Sequence, residues 1–250
     1  MVKKRKKEIA LLTALIITMV CVYRNAPIVV GDWTKQTIFL WVLNSCHIQA
    51  KDAKPRILLI DDDSGYGVFT IKRLCDELHI KATFAVIPSM MNQEINDSIR
   101  IWQKQGYGIA LHGYKHDDWR ERDYNDILND INMSEQWLVK SGYDTKGIKY
   151  VVAPRGSNTR TVIKAIKDKG YLMITSANIV NPDINVFQYG RVIINQDTNL
   201  KEMEDILRRA KERKAYVILG THSSMPEEFS AEKTKAVLQM AIDMEFDFIQ

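Results

Sequence analysis

The chain has 250 residues, 46% of them hydrophobic and 26% charged, which suits one globular domain with a full core behind an N-terminal segment. Its net charge of +4 comes entirely from the basic residues 3–7 and Glu8, which argues against a nucleic-acid-binding surface on the domain. Three widely spaced cysteines, Cys21, Cys46 and Cys75, argue against a disulfide framework and a cysteine-based metal motif.

Residues 1–52 form a segment that precedes the predicted domain. A basic run and nearly continuous apolar residues from 9 to 23 are typical of a membrane-targeting segment. The apolar run is short for a transmembrane helix and no small-residue cleavage site follows. We expect an uncleaved anchor that places the domain on the extracytoplasmic side of the membrane. The alternatives are lipidation at Cys46, giving a lipoprotein or secreted form, and an interfacial helix or linker over residues 24–50.

Residues 53–250 read as one domain in which strands and helices alternate. Apolar runs predict strands at 57–60, 81–87, 107–111, 149–153, 171–175, 187–194, 215–220 and 246–249. Apolar residues at helical spacing predict helices at 68–79, 92–105, 124–140, 158–169, 200–213 and 230–243. Alternation repeated about seven times is the pattern of a parallel sheet with helical crossovers. We therefore predict an α/β fold, a single distorted or incomplete (β/α)7-type barrel of parallel strands.

Three consecutive carboxylates, Asp61, Asp62 and Asp63, follow the first predicted strand. The carboxyl ends of the strands are where parallel α/β folds carry their chemistry. Adjacent carboxylates repel one another, so a bound metal ion is expected to offset their charge. Taken alone, the run is also explained by an Asp-rich turn that caps the next helix.

Two histidines, His112 and His116, follow the third predicted strand. An extended chain would hold them about 13 Å apart, so a turn or helical start at Gly113 is needed to bring both imidazoles to one ion. Neutral imidazoles with a carboxylate form catalytic metal sites. The segment 154–156 and His222 also follow predicted strands, and a barrel brings such strand ends to one face. The alternatives are a chance surface pair and a structural His222.

These motifs resemble those of the polysaccharide deacetylases, carbohydrate esterase family 4, over residues 57 to 250. The family's Thr-Phe-Asp-Asp-Gly motif resembles Leu59-Ile60-Asp61-Asp62-Asp63, and its His-Ser/Thr-x-x-His motif resembles His112-Gly113-Tyr114-Lys115-His116. This match implies that Asp61 is the general base and that Asp62, with the two histidines, binds the metal. The spacing to Lys81-Ala82-Thr83-Phe84 favours it, although a register shifted by one residue, to Asp62 and Asp63, stays open.

Three further motifs of the family complete the comparison, two of them with departures. Leu219-Gly220-Thr221-His222 resembles the strand end that carries the general acid, which implies that role for His222. The Arg-x-Pro-aromatic-Gly motif falls on Val152-Ala153-Pro154-Arg155-Gly156, so Val152 replaces the arginine that orients the base, and Arg155 is its candidate substitute. The motif that tunes the acid has only a positional candidate, Asp183.

The resemblance implies a hydrolase that removes N-acetyl or similar acyl groups from an amino-sugar polymer of the cell envelope, such as peptidoglycan or an exopolysaccharide. Its cofactor would be a divalent metal, Zn²⁺ or alternatively Co²⁺. Substrate contacts would come from Pro154, Arg155, Gly156 and Tyr114, and Tyr66, Tyr114 and Trp119 would either stack on sugar rings or pack. Two alternatives stay open: a membrane-side deformylase or deacetylase of a lipid-linked sugar, and a catalytically weak metal- or glycan-binding envelope domain.

Overall fold

The structure is a computed structural model that describes residues 54–177, 180–181 and 187–250. Its strands are β1 (Arg56–Asp61), β2 (Thr83–Val86), β3 (Gly108–Leu111), β4 (Tyr150–Val152), β5 (Leu172–Thr175), β6 (Gln188–Gly190), β7 (Val192–Ile193), β8 (Tyr216–Thr221) and β9 (Asp247–Ile249). Its α-helices are α1 (Val68–Glu77), α2 (Gln93–Lys104), α3 (Tyr124–Lys140), α4 (Arg160–Asp168), α5 (Leu200–Glu212) and α6 (Ala231–Asp243). Short 3₁₀ turns occupy Pro88–Met90, Trp119–Glu121 and Pro154–Gly156.

The strands pair in parallel in the order β6-β5-β4-β3-β2-β1-β8-β7, and β9 lies beside the first half of β1. The two edge strands, β6 and β7, are separated in the chain by Arg191 alone, so the sheet must curl until its edges meet. The predicted parallel barrel is confirmed, and it is nearly closed with eight strands in its wall rather than seven. The single strand predicted over 187–194 is divided at Arg191, because that residue carries the chain from one edge to the other.

Helix starts in this chain are set by polar side chains at the N-cap. The cap side chains of α2 to α6 each accept a hydrogen bond from a backbone N–H of the first turn. These caps are Asn92, Asp123, Thr159, Asn199 and Ser230. The helices therefore begin at fixed residues just after the loops that follow the strands, which places those loops together at one end of the barrel.

Two apolar layers form the core, and β1 contributes to both. Ile57 and Leu59 pack against the surrounding helices, whereas Leu58 and Ile60 face the barrel interior. Successive side chains of a strand point to opposite faces, so the residues that follow β1 continue this alternation. The alternation therefore determines which face of the sheet each of the following aspartate side chains extends from.

The membrane anchor, the candidate lipidation at Cys46 and the positional candidate Asp183 lie outside the described residues. No helix in the described part of the chain combines the length and the apolar character that crossing a membrane requires.

Candidate metal centre and active site

Asp61 lies on the helix-facing side of β1 and binds the segment that carries His222. Its carboxylate accepts hydrogen bonds from Thr221 Oγ1 at 2.6 Å, Ser223 N at 3.0 Å and Ser223 Oγ at 2.6 Å. Asp61 and Thr221 are register partners in neighbouring strands, which brings these side chains together. Burial raises the pKa of Asp61 to about 7, although the three donors favour its ionised form. Asp61 thus holds the residues on both sides of His222.

Asp62 continues the inward face of the strand and forms a buried ion pair. Arg191 Nη1 donates to Asp62 Oδ2 across 2.6 Å, and His222 Nε2 lies 3.5 Å from the same oxygen. Burial would raise the pKa of Asp62, but the charge of Arg191, with the hydrogen bond and charge of His222, holds that pKa well below its usual range. Asp62 is therefore an ionised carboxylate inside the barrel mouth.

Asp63 is the aspartate that meets the two histidines. Its Oδ1 lies 3.4 Å from His112 Nε2 and 3.4 Å from His116 Nε2, and the three ligand atoms lie within 4.8 Å of one another. Zinc bound tetrahedrally at about 2.0–2.2 Å separates its ligand atoms by about 3.4 Å. Asp63 Oδ1 is buried and has no hydrogen-bond partner among the described residues, so an unsatisfied acceptor points at this gap. The residues fit a divalent metal ion.

The protonation states of the three residues also suit the binding of a cation. His112 Nδ1 lies 2.7 Å from the carbonyl oxygen of Val152, which can only accept, so Nδ1 carries the proton and Nε2 offers its lone pair. Burial, together with the neighbouring His112, lowers the pKa of His116 and favours the neutral ligand form. Burial opposes ionisation of Asp63, but the two imidazoles beside it keep its pKa below the usual value.

The geometry favours the shifted register of the aspartate motif. The structure brings Asp63, and not Asp62, to the centre of the two histidines, while Asp62 lies 3.7 Å from His112 Nε2 and pairs with Arg191. In the shifted register Ser64 stands at the glycine of the family motif, and its φ of 47° is in the left-handed region that favours glycine. The register that makes Asp61 the base and Asp62 the ligand does not agree with these distances.

Arg191 supplies the positive charge next to Asp62 that Val152, at the arginine position of the motif, lacks. Gly220 makes room for it, since a Cβ there would lie 3.0 Å from Arg191 Cδ. The candidate substitute, Arg155, has an exposed side chain, and its charge acts on His116 instead. Arg191 was not among the predicted site residues, although a lone charged residue within the apolar run 187–194 was an available signal.

His222 bridges two carboxylates. Nε2 faces Asp62 and Nδ1 lies 3.4 Å from Oε2 of Glu228, on the loop that follows β8. Hydrogen bonding to Asp62 raises the pKa of His222 although burial opposes it, so the imidazole favours its protonated form. Glu228 was also missed, because no sequence pattern relates it to a histidine six residues earlier.

A tight turn at Gly113 packs the histidine loop closely against the 154–156 loop. Gly113 has a φ of 74°, and a Cβ on it would lie 2.7 Å from Pro154 Cγ, so the predicted turn at this residue is present and requires glycine. Within the loop, the N–H groups of Gly156 and Ser157 donate to backbone carbonyls of the same turn. The N–H of Arg155 has no such partner among the described residues and is the one available to a ligand.

The three aromatic candidates for sugar stacking differ in exposure. Trp119 is fully buried, so its predicted alternative as a packing residue applies. Tyr114 is partly buried, and its backbone N–H donates to Asp130 at 2.6 Å. Tyr66 is 62% exposed.

Comparisons with known proteins agree with this architecture. Bacillus subtilis PdaA, a family 4 carbohydrate esterase, is 17% identical over 84% of this chain and 85% of that chain, with a TM-score of 0.58. A family 4 acetyl xylan esterase from Clostridium thermocellum in complex with a cobalt ion is 16% identical over 77% of this chain and 86% of its own, with a TM-score of 0.57. A family 4 pseudoenzyme from Bacillus anthracis is 14% identical over 78% and 63% of the two chains, with a TM-score of 0.53.

At these identities the solved structures show a shared fold. No curated protein sequence matches the chain at a significant level. The family model for polysaccharide deacetylases matches residues 49–174, half of the chain, and the match includes the aspartate and histidine motifs. The chain therefore belongs to the polysaccharide deacetylase family.

Proposed function

We propose that this protein is a metal-dependent hydrolase that removes N-acetyl groups from an amino-sugar polymer of the cell envelope. The single observation that carries the proposal is the unsatisfied Asp63 carboxylate, 3.4 Å from two imidazole nitrogens and next to the Asp62–His222 pair. A site that only bound a metal would not need an ionised carboxylate and a protonated histidine beside it.

Asp63, His112 and His116 would hold the cation, which is Zn²⁺ or alternatively Co²⁺. When bound, such a cation supplies positive charge that polarises the acyl carbonyl and makes water easier to deprotonate. Because only oxygen and nitrogen ligands are available among these residues, the donor set suits either ion.

The remaining residues of the site divide the proton transfers between them. Asp62, kept ionised by Arg191, accepts the proton of the attacking water. His222 donates a proton to the departing amine, and Glu228 faces its other nitrogen. The free N–H of Arg155 donates to the oxygen that becomes negative, and Asp61 positions the backbone around His222.

The sequence left two alternatives to this function open: a domain that only binds metal or glycan, and a deacetylase or deformylase of a lipid-linked sugar. The Asp62–Arg191 and Asp62–His222 contacts argue against a domain that only binds metal or glycan. A lipid-linked sugar as substrate, and an extracytoplasmic, membrane-anchored location, stay predictions that depend on residues 1–52.

The proposal is tested by acetate release from N-acetylated chito-oligosaccharides and peptidoglycan. The full-length chain is stripped of metal and then supplied with Zn²⁺ or Co²⁺. We expect release only with added metal, and we expect Asp62→Asn to lower it by about 10²- to 10⁴-fold. The matched control is Asp197→Asn, because Asp197 is exposed on a loop and contacts neither the histidines nor Arg191. Absence of release with either metal, from a chain that binds zinc, would contradict the proposal.

A further inference from the structure

The side chain of Tyr66 is 62% exposed. It is one of four large hydrophobic side chains that are more than half exposed in the described part of the chain, and the others are Met90, Ile101 and Val139. Of these, Tyr66 alone is aromatic, and it lies in the loop after β1, at the end of the barrel that carries the metal ligands. Tyrosine is enriched at binding surfaces, because its ring offers an apolar face and its hydroxyl a polar edge.

The side chain of Tyr66 is held in place by hydrogen bonds to its hydroxyl and by stacking on one face of its ring. Its hydroxyl accepts from Asn92 Nδ2 at 3.0 Å and donates to Glu94 Oε2 at 3.2 Å. The Asn92 amide is itself fixed, because its Oδ1 accepts from Ile95 N at 2.9 Å. The ring stacks on Phe69 with centroids 6.3 Å apart and an interplanar angle of 25°. An exposed ring that is already fixed loses little conformational entropy when a ligand covers it.

The loop that carries Tyr66 is also tied to the catalytic end of the barrel. Tyr66 is three residues from Asp63, so their Cα atoms are at most about 11 Å apart. The backbone N–H of Gly65 donates to Ser224 Oγ at 2.6 Å, which links the loop to the segment that follows His222. The position of the ring relative to the metal ligands is therefore set by short connections on two sides.

We propose that Tyr66 is a stacking platform for a sugar unit of the glycan chain next to the unit whose acyl group is removed. The apolar C–H face of a pyranose ring would cover the exposed tyrosine ring, while Glu94 and Asn92 at its edge offer polar groups to sugar hydroxyls. This inference rests on the proposed function, since it extends the same site along a polymer. It identifies an oligosaccharide, and not a single acetylated sugar, as the ligand that the site accommodates.

The test is the binding of N-acetylated chito-oligosaccharides of two to six units to the metal-free, full-length chain, measured by isothermal titration calorimetry. We expect the wild-type affinity to rise with chain length. Tyr66→Ala should weaken binding of the longer oligosaccharides by about three- to tenfold, the value of one aromatic contact, and leave the disaccharide unchanged. Tyr66→Phe keeps the ring and should restore most of the affinity.

Val139→Ala is the matched control, because Val139 is also 62% exposed but lies near the end of α3 that faces away from the site. Equal binding of all lengths by Tyr66→Ala and the wild type, or no binding of any oligosaccharide, would overturn the inference. Length-dependent binding that needs Tyr66 without metal-dependent acetate release would support the platform and contradict the proposed function. Acetate release whose KM is unaffected by Tyr66→Ala at every length would contradict the platform alone.

Discussion

Replacing Arg191 by methionine should destabilise the protein by about 3–5 kcal/mol, because the change removes the nearest positive charge from the buried Asp62 carboxylate. Arg191 and Asp62 are 4% and 0% exposed, and their charged atoms are 2.6 Å apart. At an effective dielectric constant of about 20, charges at that distance attract by about 6 kcal/mol, part of which offsets the cost of burying both ions. Methionine fills similar volume, so a cavity contributes little to the loss.

The assay is urea unfolding of the full-length chain, followed by the fluorescence of its tryptophans, with the midpoint and slope fitted separately. The matched control is Arg208→Met, because Arg208 also lies 2.6 Å from its partner, Asp205, but both side chains are about half exposed. That change should leave the unfolding free energy unchanged within error, since exposed pairs contribute little. Adding Asp62→Asn to Arg191→Met should recover part of the loss, because it removes the buried carboxylate charge that Arg191 had balanced. A loss below about 1 kcal/mol for Arg191→Met, or no recovery in the double variant, would refute this reasoning.

Three further predictions follow from single residues. Burial raises the pKa of the Cys75 thiol to about 12. A thiol reagent at about pH 8 should therefore leave the Cys75 peptide unlabelled in the folded chain and label it in urea, as peptide mass mapping would show. Rapid labelling of the folded chain would contradict this. Gly113→Ala should lower the unfolding free energy by at least about 1–2 kcal/mol, measured by urea unfolding. Gly147→Ala should lower it by less, because a Cβ at Gly147 would have no atom within 4 Å. Equal effects of the two changes would argue against the tight turn. Burial raises the pKa of Asp61 to about 7, from about 3.9 in the unfolded chain, so folding favours the protonated carboxyl. The unfolding free energy of the wild type should therefore fall relative to that of Asp61→Asn as the pH rises from about 4 to about 7, measured by urea unfolding at each pH. A difference that does not change with pH would show that Asp61 stays ionised.

The order of strands and helices could be predicted from the sequence because its apolar spacing changes period at each boundary. The bounds of α3, predicted as 124–140, agree with the structure. The break within 187–194 could not be predicted, because residues on both sides of Arg191 are apolar and the edges of the sheet meet only in three dimensions.

The histidine pair was predictable from spacing alone, since a four-residue interval after a strand needs only a turn at Gly113. The direction in which each of the three aspartates points was not, because β1 is buried on both faces. Its apolar residues give no sign of which side faces the barrel interior, and a one-residue change of register exchanges the two faces. The contacts of Asp62 with Arg191, 129 positions apart, depend on closure of the barrel, which no local pattern encodes.

The most direct test of the proposed site is the Zn²⁺ affinity of three single variants, Asp61→Asn, Asp62→Asn and Asp63→Asn, measured by competition with a chromogenic chelator. Only Asp63 lies 3.4 Å from both imidazole nitrogens, so Asp63→Asn should lose at least about 100-fold in affinity. Asp61→Asn and Asp62→Asn should each stay within a few-fold of the wild type. Retained zinc affinity in Asp63→Asn, with a large loss in Asp62→Asn, would contradict the assignment of Asp63 as the ligand and return the motif to the other register.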